Sequence, residues 1–132
     1  MKAVAAVAEI LKREGTTFLI GYPVNPIIEA AAQADIRTII VRQERTGLHM
    51  ADAVSRISSG QKIGVFTMQQ GPGSENAFGG VAQAYGDSVP IVVLPAHPPL
   101  FRSQMSVSFV TGLTQRMSLV PSWLKSPMPA IW

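Results

Sequence analysis

Four short, almost wholly apolar runs, residues 16–21, 38–41, 63–68 and 89–94, constrain this chain more than any other feature. Each has the length of a strand and carries apolar residues at odd and even positions alike, so neither of its faces suits water. Between them lie helix-like patterns. Val4, Val7, Ala8 and Leu11 fall at i, i+3, i+4 and i+7 before a stop at Gly15. Residues 27–34, opened by Pro26, residues 44–58, closed by Ser59 and Gly60, and residues 74–85 supply three more helices. Strands apolar on both sides that alternate with helices predict an α/β fold: a parallel sheet inside a three-layer α/β/α arrangement. Right-handed crossovers place every strand-to-helix turn on one sheet edge, where ligands of such folds bind. The turns to examine are residues 21–25, 42–45 and 69–76.

At 132 residues the chain is one domain, large enough to bury a core without covalent staples. It has no cysteine, which excludes disulfides and thiolate metal sites and fits a cytoplasmic protein. The apolar opening is interrupted by Glu9, Lys12, Arg13 and Glu14, so it reads as an amphipathic helix rather than a secretion signal. No stretch approaches the ~20 apolar residues that span a bilayer, so no membrane partner is expected. The net charge of +3 does not point to nucleic acid. Acids and bases balance over residues 1–97, and the excess comes from Arg102, Arg116 and Lys125, too dispersed to track phosphates.

The turns contain the chemistry. Glu44, in Arg42-Gln43-Glu44-Arg45, is a lone carboxylate where a strand gives way to a helix; an acid there also favours the helix N-terminus by about 0.3–1 kcal/mol. Gly71-Pro72-Gly73-Ser74-Glu75-Asn76 ends the next strand as a tight turn, with Ser74 as the expected N-cap. Neither a G-x-G-x-x-G nor a phosphate-binding G-x-x-x-x-G-K-[ST] pattern occurs. His49 and His97 stand apart from any ligand cluster, so no metal site is expected within this chain.

In order and spacing, residues 1–96 resemble the N-terminal, pyrimidine-binding domain of thiamine diphosphate enzymes of the acetolactate synthase type. The matching residues are Gly21-Tyr22-Pro23, Arg42-Gln43-Glu44 followed by His49-Met50-Ala51-Asp52, the Gly71 to Asn76 turn, and Asp87-Ser88-Val89-Pro90 leading into the last strand. The resemblance implies thiamine diphosphate as cofactor and Glu44 as the catalytic residue. Glu44 would bond ring nitrogen N1′ of the aminopyrimidine, so that the exocyclic nitrogen can remove the thiazolium C2 proton. The cofactor then supplies the chemistry on a small 2-oxo acid or acyl-CoA substrate. It further implies that Pro72 and Asn76 line the pyrimidine pocket, that Gly73 lets backbone approach the cofactor, and that Tyr22 and Pro23 face it. Gln70 either faces the reaction space or only satisfies the loop. Val24-Asn25 replaces the glycine-rich pair usual in acetolactate synthases, a departure that leans towards 2-hydroxyacyl-CoA lyases and decarboxylases.

The resemblance also implies a missing half. The family's diphosphate and Mg²⁺ are held by a second domain with a Gly-Asp-Gly motif, and none occurs here. The expected partner is therefore a diphosphate-binding domain or subunit in a homo- or hetero-oligomer, with Mg²⁺ bound only there and the chain inactive alone. The alternative is a non-catalytic interaction or regulatory domain of the same descent. The domain is expected over residues 1–97 and to be incomplete at its C-terminus. Residues 98–132 differ in kind, with no acid, six serines, five prolines and both tryptophans. They read as an atypical tail, the product of a shifted or truncated reading frame, with residues 106–110 as its one strand-like run.

Overall fold

The computed structural model describes residues 2–23 and 25–96. Val24, His97 and the tail expected over 98–132 lie outside the described residues. The elements run α1 (Ala3–Arg13), β1 (Phe18–Gly21), α2 (Pro26–Gln33), β2 (Arg37–Ile40), α3 (Glu44–Ile57), β3 (Gly64–Met68), α4 (Pro72–Gly86) and β4 (Ile91–Pro95). The strands form one parallel sheet in the order β2-β1-β3-β4.

This order separates the helices into two layers. The side chains of Leu19 and Val65 alternate with those of Ile20 and Phe66, so each strand feeds both faces. Leu19 and Val65 pack with Ala8, Leu11, Ile27, Ala30 and Ala31 under α1 and α2. Ile20, Phe66, Met68, Ile91 and Val93 pack with Leu48, Ala51, Ala77 and Ala84 under α3 and α4. Phe66, Leu19 and Ile20 are fully buried, each worth roughly 1.5–3 kcal/mol relative to exposure.

Glycine sets the depth of the second layer. A Cβ on Gly64 would sit 1.9 Å from the Ala51 carbonyl oxygen, so α3 lies directly on the backbone of β3. Gly47 and Gly80 would likewise drive a Cβ into the Phe66 ring and the Leu48 side chain, at 2.3 and 2.5 Å. The apparent polar residues of α3 are used as well. Ser55 Oγ accepts from the Gly64 amide at 2.9 Å, which ties the end of the helix to the start of the strand.

All four helices stop in one way. Gly15, Asp35, Ser59 and Ser88 have positive φ just past the helix ends. In each case the next amide reaches back to the carbonyl five residues earlier: Thr16 to Leu11, Ile36 to Ala31, Gly60 to Ser55 and Val89 to Ala84. These are Schellman motifs, which satisfy carbonyls that the helix itself leaves open.

The N-cap expected at Ser74 is corrected. Helix α4 begins two residues earlier, with Pro72 in its first turn and Gly71 as the cap at φ 61° and ψ −114°. Proline already holds the helical φ and has no amide to satisfy, and Gly71 absorbs a conformation closed to other residues, so the turn closes sooner.

Candidate functional site

Parallel strands bring the C-terminal ends of β1, β2 and β3 to one edge, and with them all three turns singled out in the sequence. Order β2-β1-β3 places a switch point between β1 and β3, because the chain leaves β1 first towards β2 and then returns past it. Tyr22 continues the sheet there, its amide donating to the Thr67 carbonyl at 2.9 Å. Its half-buried side chain packs on the core beneath α3 and α4. Pro23 beside it is exposed.

Glu44 is the first residue of α3 and is only 7% exposed. It is one of four buried polar or charged residues among those described, and the only one at this edge that carries a charge. Asn76 Nδ2 donates to Glu44 Oε2 at 3.3 Å across the gap from α4. On the same side, a Cβ at Gly73 would come within 3.3 Å of Glu44 Oε1. The carboxylate thus lies against the first turns of two helices, α3 and α4, whose N-terminal partial charges favour an anion. Helix opener and placed acid are the same residue.

Of the other expected site residues, Gly73 is buried, while Gln70, Pro72 and Asn76 are exposed along the rim. Tyr22, Glu44, Pro72, Gly73 and Asn76 therefore share one edge, with a direct contact between Glu44 and Asn76. Gln70 lies on the same turn, and none of the hydrogen bonds found among the described residues ties it to Glu44. His49 is half-buried on α3. Among the described residues, no three His, Asp or Glu side chains gather as metal ligands.

Asn25, which sequence reading noted only as a departure, holds the β1 turn. Its Nδ2 donates to Thr67 Oγ1 and, at 3.3 Å, to the Met68 carbonyl, while its Oδ1 accepts from the Ile27 amide at 3.2 Å. The signal available in the sequence was Asn followed by Pro, an N-cap followed by a first-turn proline.

The strongest charge cluster lies at the opposite edge. Arg56 donates from Nε to Asp52 and from Nη2 to Asp87, both at 2.6 Å, clasping the ends of α3 and α4. The hydrogen bond to Asp52, then that to Asp87, pushes the guanidinium pKa further above its already high value. A cleft of about 350 Å³ beside it is lined by Ser55, Ser59 and Ser88. A second, more apolar groove of about 520 Å³ runs along Phe18, Ile39 and Ile57. Neither includes Glu44, whose surroundings follow from sheet topology rather than from concavity.

The family profile described as "Thiamine pyrophosphate enzyme, N-terminal TPP binding domain" matches residues 1–119. The chain belongs to that family. Among its relatives, the probable acetolactate synthase large subunit of Methanocaldococcus jannaschii is 34% identical over 102 residues, covering 75% of this chain and 17% of its own length. The acetolactate synthase large subunit of Parasynechococcus marenigrum is 38% identical over 102 residues, with 72% of this chain and 16% of its own length covered. The acetolactate synthase isozyme 3 large subunit of Escherichia coli is 35% identical over 85 residues, with shares of 61% and 14%. The chain thus spans about one sixth of the length of the curated relatives it matches. The α/β fold, with its parallel sheet between helical layers, is the one that membership requires, and no helix among the described residues is long and apolar enough to cross a membrane.

Proposed function

We propose that this chain is the pyrimidine-binding half of a thiamine diphosphate enzyme that acts on 2-oxo acids, and that Glu44 activates the cofactor. The observation that carries the reading is the buried carboxylate of Glu44 held between the first turns of α3 and α4. Thiamine diphosphate, when bound, supplies the carbanion chemistry by which such enzymes cleave and join carbon–carbon bonds next to a carbonyl.

The residues present fit the aminopyrimidine end of that cofactor. A ring nitrogen needs one acceptor–donor partner, and Glu44 offers a carboxylate withdrawn from bulk water and steadied by Asn76. A flat ring needs open backbone beside it. Gly73 leaves the space that a Cβ would fill, 3.3 Å from Glu44 Oε1. Glu44 holds the proton shared with the ring, Asn76 orients the carboxylate, and Tyr22, Pro23 and Pro72 bound the edge. Among the described residues no three His, Asp or Glu side chains gather as cation ligands, and on this reading the diphosphate and its Mg²⁺ are held by a second domain or chain. The outer face of α4 supports a covering partner, since Phe78 and Tyr85 are 68% and 63% exposed there.

For residues 98–132 we propose a shifted reading frame, motivated by the loss of acids after residue 97. The family match that continues to residue 119 argues against a break directly at His97. The expected finding is therefore a family-like continuation in another frame beyond codon 119; its absence from both other frames overturns the reading.

Calorimetry tests the functional assignment. Thiamine diphosphate should bind tightly only when Mg²⁺ and a chain carrying the diphosphate-binding half are both present. Tight, metal-independent binding to this chain alone would contradict it.

A further inference from the structure

Thr67 is a fully buried polar residue at the end of the central strand β3. Its hydroxyl has one proton, which it donates to the Leu94 carbonyl of β4 at 2.7 Å. The oxygen must therefore accept at its other side, and Asn25 Nδ2 is the donor there. The second Nδ2 hydrogen faces the Met68 carbonyl, and Oδ1 faces the Ile27 amide at the start of α2. Every polar atom of the amide is thereby assigned, and its orientation is fixed by its partners rather than chosen.

The relay crosses three elements. It joins the turn after β1 to the last residues of β3, immediately before the Gly71 to Asn76 turn, and to β4 beyond. Backbone bonds flank it on both sides: Tyr22 donates to the Thr67 carbonyl, and Ala96 donates to the Met68 carbonyl at 2.7 Å. Gly21 sits against Thr67 as well, since a Cβ there would lie 3.0 Å from Thr67 Cγ2.

We infer that Asn25 is a positioning residue which, through Thr67, locks the Tyr22–Pro23 turn to the end of β3 and so fixes its register against Gly73 and Glu44. This deepens the functional reading above and rests on it for the identity of the ring being positioned. A simple N-cap needs only the bond from Ile27. The lock needs the Thr67 hydroxyl, which a cap would not use.

Hydrogen exchange and a ring-fragment titration on the full chain separate these. Asn25→Ala and the isosteric Thr67→Val should speed amide exchange at Tyr22, Ala96 and Glu75 about tenfold, the effect expected for losing a buried hydrogen bond. Thr67→Ser keeps the hydroxyl and should stay near wild type. Titration with 4-amino-5-hydroxymethyl-2-methylpyrimidine, followed by amide shifts at Glu44, Gly73 and Asn76, should show about tenfold weaker binding in the first two variants and recovery in Thr67→Ser. Faster exchange confined to Ile27 in Asn25→Ala, with Thr67→Val like wild type, would overturn the lock and leave a cap. If the wild-type chain shows no shifts with the pyrimidine, the cofactor reading is left to the C2-exchange and calorimetric tests with the partner chain, and the exchange arm alone decides the lock in either direction.

Discussion

At the scale of single residues, two neighbouring glycines do different work. Gly71 has open space around the position of a Cβ but holds φ 61° with ψ −114°. Gly71→Ala should therefore cost about 1–3 kcal/mol through the backbone alone, seen as a lower urea midpoint with unchanged slope. Gly73 has no such φ, and its constraint is contact: Gln69 Cβ at 3.0 Å and Glu44 Oε1 at 3.3 Å from a Cβ. Gly73→Ala should leave the far-ultraviolet spectrum unchanged and move stability by less than about 1 kcal/mol, while it displaces the Glu44 carboxylate from Asn76 and abolishes pyrimidine-induced shifts. Glu44 was legible from its place at a strand end. Its contact with Asn76, 32 residues on, was not legible: the resemblance implied only that Asn76 lines the pocket, and a pattern of residues along a chain carries no distance across a sheet edge.

Among the elements, the helix ends show what sequence reading reached and what it did not. Gly15 announced its stop, since glycine is the usual residue for the left-handed position. Asp35 and Ser88 adopt the same φ without glycine, and their helix ends were legible only to within a residue or two. That position costs an L-residue roughly 1–2 kcal/mol, so Ser88→Gly should stabilise the chain by about 0.5–1 kcal/mol, less than the full cost because glycine loses more entropy on folding. Gly64→Ala should prevent folding, as its Cβ would meet backbone of α3 that has nowhere to move. The strands were legible in number and kind because both faces are covered, yet the observed strands begin one or two residues away from the apolar runs, with Arg37 opening β2. The Arg56 clasp was not legible at all. Its partners are four and 31 residues away, and only the docking of α3 on α4 unites them. Arg56→Met should lower the urea midpoint more than Asp87→Asn, because the side chain of Asp52 is 6% exposed and one of its oxygens already lacks a partner. The raised guanidinium pKa has a definite sign. A base held above its ordinary value contributes fully at every pH below that value and loses its contribution only above it, so the ranking should hold unchanged from about pH 6 to 9.

For the whole molecule, the decisive fact is proportion: the chain spans about one sixth of the length of the relatives it matches, and on the proposed reading it carries one wall of a site that needs two. The fold and the edge that gathers the three turns could be read from the apolar runs and the turns themselves; the pyrimidine came only with the family resemblance. The second wall of the proposed site is implied only by the family, since nothing in these residues encodes the geometry of another domain. Activation of thiamine diphosphate by Glu44, once the second wall is supplied, is measured directly by proton exchange at the cofactor's C2. With Mg²⁺ and a chain carrying the diphosphate-binding half, wild type should accelerate exchange far beyond free cofactor, and Glu44→Gln should bring the rate down by at least about 100-fold, the scale of a lost acid–base group. Equal exchange rates in wild type and Glu44→Gln, with cofactor bound in both, would contradict it.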